Sequence, residues 1–157
     1  MRPTTVAALL FCLAGAVVPP AHADASIETR LKARGLQYEA DEDGDYKLVY
    51  RYEKEGRTQL VFVSGSTEKV GGFIVREVFS PAARADRDGI DGGKALTLLA
   101  DNRSNKLGAW ELHGDTLVFV IKLPDNVDAM QLESALDIAA QSADEMEKEL
   151  SGTTDAF

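Results

Sequence analysis

The most regular pattern of apolar residues lies near the end of the chain and predicts a long helix. Apolar positions between Ala129 and Leu150 step alternately by three and four residues, which places them on one side of an α-helix. Asp128 and Gln131 have the spacing of a capping box, and Gly152 can end the helix. The stripe indicates either a helix that lies on a sheet or a helix–helix dimer seam, and its three alanines favour the sheet. Its members are Ala129, Leu132, Leu136, Ala139, Ala143, Met146 and Leu150.

Alternation with a period of two residues predicts β-strands earlier in the chain. Tyr46, Leu48, Tyr50 and Tyr52 share one side of such a pattern, opposite a mostly polar set. Residues 117–121 are apolar on both sides, which is typical of a strand inside a sheet. The connections are short and favour antiparallel pairing. Strands are predicted over residues 36–40, 46–53, 58–63, 73–79, 109–113 and 116–123, with turns at 41–45 and 114–115.

Two shorter helices complete the predicted elements. Ser26 is a suitable N-cap for a helix over residues 27–34, which Gly35 can end in a Schellman motif. Residues 80–93 are rich in Asp and Gly and predict a loop, after which residues 94–105 predict a helix. The members of one side of this second helix are Ala95, Leu98, Leu99 and Asn102.

These elements predict an α+β fold in the order α-β-β-β-β-α-β-β-α. We expect a single antiparallel sheet of five to six strands with the helices packed largely on one face. The length of 157 residues suits one domain, which we place over residues 24–152. Residues 153–157 are predicted to be a flexible tail.

The first segment has the pattern of a cleaved secretory signal peptide. Arg2 precedes an apolar run over residues 6–18, and Ala21-His22-Ala23 fits the small-x-small cleavage rule, so cleavage is expected after residue 23. The run is shorter than the ~20 apolar residues that a membrane-spanning helix needs. A lipid anchor on Cys12 is disfavoured, because large residues precede it. We therefore expect a periplasmic or secreted protein without stable membrane insertion.

Charge and composition exclude several functional classes. The formal net charge of −9 argues against binding to nucleic acid, which requires clustered Lys and Arg. The single cysteine excludes a disulfide scaffold within one chain. Cleavage removes Cys12 and His22 and leaves His113 as the single histidine, so a typical protein zinc site is not expected. No cofactor and no catalytic residue is predicted.

Three segments of the chain resemble the YbjN-type family of bacterial domains. They are GLQYEADEDGDYKLVY, ALTLLADNRSNKLGAWELHGDTLVFVIKLP and DAMQLESALDIAAQSADEM, within residues 27–150. The resemblance implies the fold of type III secretion chaperones and a chaperone-like or regulatory binding module, often dimeric, without established catalytic residues. The predicted signal peptide departs from cytoplasmic secretion chaperones and indicates an exported variant.

Candidate chemistry is sparse. The acidic loops at Asp41–Asp45 and Asp86–Asp91 offer carboxylates to a cation, but neither has the Gly and Glu spacing of an EF-hand. Gly92-Gly93-Lys94 lacks the Walker spacing, and Ser64 lacks the glycines of a nucleophile elbow. Acidic residues on the last helix indicate a solvated face or a docking surface for a basic partner: Asp137, Asp144, Glu145, Glu147 and Glu149.

The best binding candidates are Tyr46, Tyr50, Tyr52 and Trp110, since Tyr and Trp combine a large apolar area with a polar tip. The alternative is that the tyrosine side of their strand is the core face beneath the helices. The sequence thus favours a non-enzymatic binding module that holds a peptide, a protein or a second copy of itself. A cation- or small-ligand-sensing domain is the alternative, and an enzyme is the least favoured.

Overall fold

The computed structural model describes residues 25–152 and 154–157. The predicted signal peptide, residues 1–23, lies outside the described residues. The elements in chain order are α1 (Ala25–Ala33), β1 (Glu39–Ala40), β2 (Tyr46–Tyr52), β3 (Arg57–Val63), β4 (Glu68–Val70), β5 (Phe73–Arg84), α2 (Gly92–Asp101), β6 (Ala109–His113), β7 (Thr116–Pro124) and α3 (Ala129–Ser151).

The strands form one antiparallel sheet, which confirms the predicted α+β class. Their order across the sheet is β1-β2-β3-β5-β7-β6, and β4 pairs with β5 as a short hairpin. The strand β4 was not predicted, because its three residues are too few to establish a period. Gly71, in the left-handed conformation with φ of 59°, makes the turn that folds β4 back on β5.

The strand β5 is longer than predicted. Residues 80–84 were expected to begin a loop, and this prediction is wrong because they continue the pairing of β5 with β7. A bulge shifts the register between Pro81 and Ala83, and Ala82 and Ala83 are buried. Small residues and a proline hide a strand from an analysis of hydrophobic period, whereas neighbouring strands can still enclose them.

Pro81 also separates β5 from β3. The register of Phe62 with Phe79 would bring Leu60 opposite Pro81, which has no N–H to donate. Side chains replace the missing ladder: the Ser80 hydroxyl donates to the Leu60 carbonyl, and Gln59 Nε2 donates to the Pro81 carbonyl at 2.6 Å. One edge of β3 is therefore free of β5 from Leu60 back to the start of the strand.

The helix α3 packs along β3, β5 and β7, so its apolar stripe faces the sheet as the favoured interpretation predicted. The capping box between Asp128 and Gln131 is confirmed, and Gly152 ends the helix with φ of 66°. Ala135 and Ala140 are buried as well. The buried surface is wider than a coiled-coil seam because a flat sheet contacts more of the helix than a second helix does.

The first helix α1 packs against α3 and ends as predicted. The amide of Leu36 donates to the Leu31 carbonyl at 3.1 Å, and the amide of Gly35 donates to the Lys32 carbonyl at 3.0 Å. These are the two hydrogen bonds of a Schellman motif, and Gly35 supplies its positive φ of 69°.

The second helix α2 begins and ends earlier than predicted. Asp91 is its N-cap and accepts a hydrogen bond from the amide of Lys94, and the helix ends before Asn102, whose side chain binds the backbone of the next strand. Only Leu98 of this helix is buried, while Leu99 is exposed. The predicted apolar side thus reaches the core through one residue.

Candidate functional site

One face of the sheet carries no helix in the described part of the chain. The side chains of a strand alternate between faces, and α3 packs on the face of Val78, Phe119 and Ile121. We call the opposite side, which includes Phe79 and Val118, the open face. It has two apolar depressions, and no described helix contributes a residue to either. The open face is therefore where this domain can offer apolar side chains to another molecule.

The first depression lies beside the β4–β5 hairpin. Val70, Phe73, Val75 and Pro124 line it, and we call this set the hairpin patch. Its volume is about 450 Å³, and the side chains of Phe73 and Val70 are 68% and 56% exposed. Charged residues stand at its rim: Glu68, Glu77 and Lys122. The hairpin patch is an uncovered apolar surface with a charged border.

The second depression is bordered by the described tail. Leu60, Phe62, Phe79, Val118 and Phe157 line it, and we call it the Phe157 pocket. The rings of Phe62 and Phe79 are stacked, with centroids 5.1 Å apart and planes at 9°. The remaining lining consists of Pro81, Arg84, His113 and Thr116. An aromatic side chain from the tail thus lies at the rim of this depression, to which no described helix contributes.

A charged group separates the two depressions. Lys122 Nζ lies 2.7 Å from Glu111 Oε1 and 3.7 Å from Glu77 Oε1, and His113 Nε2 lies 3.1 Å from Glu111 Oε2. Burial alone would raise the pKa of Glu111, but the hydrogen bonds from Lys122 and His113 lower it. His113 is therefore a surface neighbour of Glu111, beside the ion pair of Glu111 with Lys122.

Buried charges connect the start of β3 to the end of α3. Arg57 Nε donates to Asp144 Oδ1 at 2.7 Å, and Arg57 Nη2 donates to Glu147 Oε2 at 2.6 Å. Glu147 Oε1 accepts a hydrogen bond from the amide of Ala156 at 2.7 Å. Burial raises the pKa of Glu147, although the Ala156 amide and the Arg57 charge oppose that rise. We call these residues the Arg57 cluster.

The solvated acidic face expected on the last helix is thus wrong for two of its residues. Asp144 and Glu147 are 3% and 0% exposed, because they neutralise Arg57 inside the molecule. Asp137, Glu145 and Glu149 are exposed. Acidic residues near a helix C-terminus oppose the macrodipole, and pairing with a buried arginine accounts for the inner two.

The described tail residues, 154–157, run from the Arg57 cluster onto the sheet. Arg57 Nη1 donates to the Thr154 carbonyl at 3.1 Å. The Asp155 carboxylate accepts hydrogen bonds from the amide of Thr58 at 3.2 Å and from its hydroxyl at 3.1 Å. Thr58 lies on the edge of β3 that Pro81 leaves free, so Asp155 satisfies an amide that strand pairing does not reach. These contacts direct Phe157 onto the open face.

The predicted tyrosines lie on the helix-covered face. Tyr46 is 0% exposed and packs edge to face on Tyr38, with ring centroids 5.4 Å apart. Tyr50 is half-buried and donates its hydroxyl to Asp137 Oδ1 at 2.7 Å, and burial together with this contact raises its pKa. Burial also raises the pKa of Tyr52 to about 12. Tyr46 therefore belongs to the core, and a binding role for Tyr50 and Tyr52 stays a prediction.

Trp110 joins α2 to the sheet. Its ring packs edge to face on Phe119 with centroids 5.0 Å apart, and its Nε1 donates to Asp101 Oδ2 at 3.3 Å. Its backbone amide donates to Asn102 Oδ1 at 2.6 Å. Trp110 is 9% exposed, so its contacts are those of a packing residue, and its predicted binding role stays a prediction.

The carboxylates of the two acidic loops accept hydrogen bonds from backbone amides, mostly within their own turns, and Asp45 Oδ1 accepts from the amide of Gly65 at 2.9 Å. Asp41 Oδ1 accepts hydrogen bonds from the amides of Asp43 and Asp45, at 3.0 Å and 2.9 Å. Asp91 caps α2 through the amide of Lys94. Within residues 25–152 and 154–157, no group of three or more His, Cys, Asp or Glu side chains is gathered closely enough to hold a metal ion.

Sequence reasoning missed the features that distinguish the open face. Arg57 occupies a core position of β3, where the alternation of apolar residues gave no sign of a cation. Phe157 stands alone after a polar stretch and was placed in the predicted flexible tail. The sequence did contain one signal for the longer β5. Pro81, Ala82 and Ala83 follow the apolar strand, and small residues with a proline can extend a strand that does not pair on its proline side.

Comparisons with known proteins give a similar fold but no family for this chain. No family model matches it, and no curated protein matches it. Among solved structures it is similar to the crystal structure of YbjN, a proposed transcription regulator from E. coli, with a TM-score of 0.45 and 13% identity over 79% of this chain and 89% of that chain. The similarity concerns the fold alone, and the predicted family membership stays a resemblance.

In the described residues, no helix combines the length and the apolar character needed to cross a membrane.

Proposed function

We propose that this chain is a non-enzymatic binding module that holds an extended apolar segment of a partner protein on its open face. The hairpin patch carries the proposal: Phe73 and Val70 expose large apolar side chains beside a depression of about 450 Å³. Exposed apolar surface that is grouped and rimmed by charges is typical of interaction sites. The depression is shallow and open, which suits a polypeptide segment.

The described tail supports a polypeptide as the occupant. It is a short segment outside any helix or strand, and it contacts this side of the sheet through Asp155 on Thr58 and through Phe157 beside Arg84. The Phe157 pocket and the hairpin patch lie along the same pair of strands, β5 and β7. Phe79 of the pocket and Val75 of the patch are four residues apart on β5, which is about 13 Å along a strand. One partner segment of ordinary length can therefore span both.

Charge narrows the chemistry of the partner. Glu68, Glu77 and Lys122 border the hairpin patch, so acidic residues outnumber basic ones at its rim, and the chain has a net charge of −9. A partner segment with Lys or Arg beside its apolar residues complements this border, and such complementarity mainly increases association rate and specificity. We propose an apolar segment with flanking basic residues for the hairpin patch.

The test is a titration of the chain with capped nonapeptides, followed by backbone amide NMR shifts. One peptide has a Phe/Leu/Val centre flanked by Lys, and its control replaces the apolar centre with Ser. We expect shifts at residues 70–75, 122 and 123 for the first peptide only. Phe73→Ser should weaken binding about tenfold or more, the loss expected for one anchoring aromatic side chain.

Ile74→Ser is the matched control. Ile74 is 53% exposed and follows Phe73 on the same strand, but its side chain points to the other face. Ile74→Ser should bind like the unaltered chain. Equal weakening by both substitutions, or no shift at the hairpin patch with millimolar peptide, would contradict the proposed function.

Export is part of the proposal. The apolar run and the Ala21-His22-Ala23 site support cleavage after residue 23 and a periplasmic or secreted location. Mass spectrometry of the chain from a bacterial envelope extract should give a mature form that starts at Asp24. Recovery of the uncleaved chain in the cytoplasmic fraction would contradict export.

A homodimer is proposed from the family resemblance. Light scattering at high protein concentration should give twice the monomer mass, and a strict monomer would contradict it. The absence of enzymatic activity is proposed because no reactive constellation was found in the sequence. Substrate turnover that a single carboxylate substitution abolishes would contradict that part.

A further inference from the structure

We infer that the site holding the tail is itself a recognition site for a partner segment in which an acidic residue lies two positions before a large aromatic residue. The tail, through Asp155 and Phe157, is then the internal competitor of that segment. This inference rests on the proposed function and deepens it, since it names the chemistry that the second part of the open face selects.

The acidic residue of the segment binds at the unpaired edge of β3. Pro81 leaves the edge of β3 unpaired, so the amide of Thr58 is available, and the Thr58 hydroxyl lies beside it. A carboxylate accepts both hydrogen bonds at once, as Asp155 does at 3.2 Å and 3.1 Å. Arg57 Nη2 lies 3.8 Å from the same carboxylate and adds a favourable charge. A neutral side chain would lose that charge interaction.

The backbone between the two side chains is held as well. Glu147 Oε1 accepts the amide of Ala156 at 2.7 Å, and Arg57 Nη1 donates to the Thr154 carbonyl at 3.1 Å. Contacts to main-chain atoms are available to any segment whatever its side chains. The Arg57 cluster therefore fixes the direction and register of a bound segment, and the side-chain positions give the selectivity.

The aromatic residue of the segment is recognised at the Phe157 pocket, which Phe157 itself borders. The stacked pair of Phe62 and Phe79 forms one wall, and Leu60 and Val118 lie beside it. The guanidinium of Arg84 lies 5.9 Å from the Phe157 ring centroid, within the range of a cation–π contact. An aromatic side chain gains from both the apolar walls and the cation, whereas an aliphatic one gains only from the walls.

The tail is a displaceable occupant. Thr154, Asp155 and Ala156 are exposed and Phe157 is only half-buried, so few of its atoms are enclosed. Tethering gives the tail an effective concentration of about millimolar, as for a short flexible linker. A partner segment in solution must therefore exceed this competition, and weakening the tail should increase its apparent affinity.

The experiment uses the full chain and a capped fluorescent peptide, acetyl-Gly-Thr-Thr-Asp-Ala-Phe-amide, whose sequence is that of residues 152–157. Fluorescence anisotropy measures its binding to the unaltered chain and to Phe157→Ala. We expect binding to Phe157→Ala that is about tenfold tighter or more, because the substitution removes a competitor at millimolar effective concentration. Peptides with Asp→Asn or Phe→Leu should each bind more weakly than the parent peptide.

Leu99→Ala is the control chain, because Leu99 is an exposed apolar residue of α2 that lies outside both depressions of the open face. It should bind the peptide like the unaltered chain. NMR shifts of the Thr58 amide locate the bound peptide on the free edge of β3. Two results would overturn the inference. One is equal affinity of the peptide for the unaltered chain and for Phe157→Ala. The other is equal affinity of the parent, Asp→Asn and Phe→Leu peptides for Phe157→Ala.

Two further outcomes are decisive. If the unaltered chain is a dimer that Phe157→Ala converts to a monomer, the occupant is the tail of a second copy, and the assignment to a partner is overturned. If the peptide does not bind Phe157→Ala at millimolar concentration while the basic apolar peptide still binds the hairpin patch, this inference fails and the proposed function stands.

Discussion

The two faces of the sheet obtain their cover in different ways. On one face, α3 lays a continuous apolar stripe across β3, β5 and β7, and core side chains such as Leu136 are fully buried. On the open face, the tail contacts Thr58 through Asp155 and Arg84 through Phe157, and the hairpin patch has no cover among the described residues. The first face supplies the stability of the domain, and the second leaves apolar surface available for binding.

The largest expected effect comes from the charges that join the two faces. Arg57→Met should destabilise the domain by about 3–5 kcal/mol, because removing one partner leaves buried carboxylates uncompensated. Urea unfolding measures the loss. Adding Glu147→Gln to Arg57→Met should recover part of it, since a neutral amide costs less to bury than a carboxylate. No recovery would contradict an electrostatic origin.

Truncation of core and open-face side chains tests the comparison directly. Leu136→Ala should cost about 2–5 kcal/mol in the free energy of unfolding, as for other fully buried leucines. Phe73→Ala, although it removes a larger side chain, should stay within about 0.5 kcal/mol of the unaltered chain. Similar losses for the two would mean that the hairpin patch is part of the core.

A smaller effect separates the two half-buried tyrosines. Tyr50→Phe removes the hydrogen bond to Asp137 and should cost about 0.5–1.5 kcal/mol. Tyr50 also titrates later than a free tyrosine, because burial and Asp137 raise its pKa. Absorbance at alkaline pH should show its phenol ionising after that of Tyr52, whose pKa is raised to about 12. The reverse order would contradict the contact with Asp137.

The smallest expected effect is a dependence on pH that opposes ordinary acid unfolding. The pKa of Glu147 is raised in the folded state, so the folded domain binds its proton more tightly than the unfolded chain does. Its contribution is therefore most favourable below the unfolded pKa of about 4.3, and it is lost as pH rises through the folded pKa. Relative to Glu147→Gln, the unaltered chain should gain stability as pH falls through this window. A relative loss would contradict the raised pKa.

The helix-covered face could be predicted largely from the sequence. A long helix with an Asp-x-x-Gln start and regular apolar steps encodes both its ends and its buried side. The bounds of β2, β3, β6 and β7 were predicted within one position, whereas β1 is shorter than the predicted 36–40 and β5 is longer than the predicted 73–79. In these segments the local pattern and the tertiary contacts favour the same structure, so the pattern is sufficient.

The open face could not be predicted, because its features depend on contacts between distant parts of the chain. From the sequence alone, Arg57 resembles a surface cation. Only the position of α3 in the folded domain brings Asp144 and Glu147 to it. Residues 80–84 have the composition of a loop until β7 pairs with them. The tail has no periodic pattern, and its described contacts arise from an edge of β3 that exists only in the assembled sheet.

The unpaired edge of β3 exists because the backbone nitrogen of Pro81 carries no hydrogen. An open sheet normally ends at two borders, here β1 and β6, and proteins protect such borders against unwanted pairing. By lacking an amide hydrogen, Pro81 creates a third border in the interior, flanked by neighbouring strands on both sides. At this border the Asp155 carboxylate accepts from the amide and the hydroxyl of Thr58, so the domain offers main-chain donors within the sheet as well as at its outer borders.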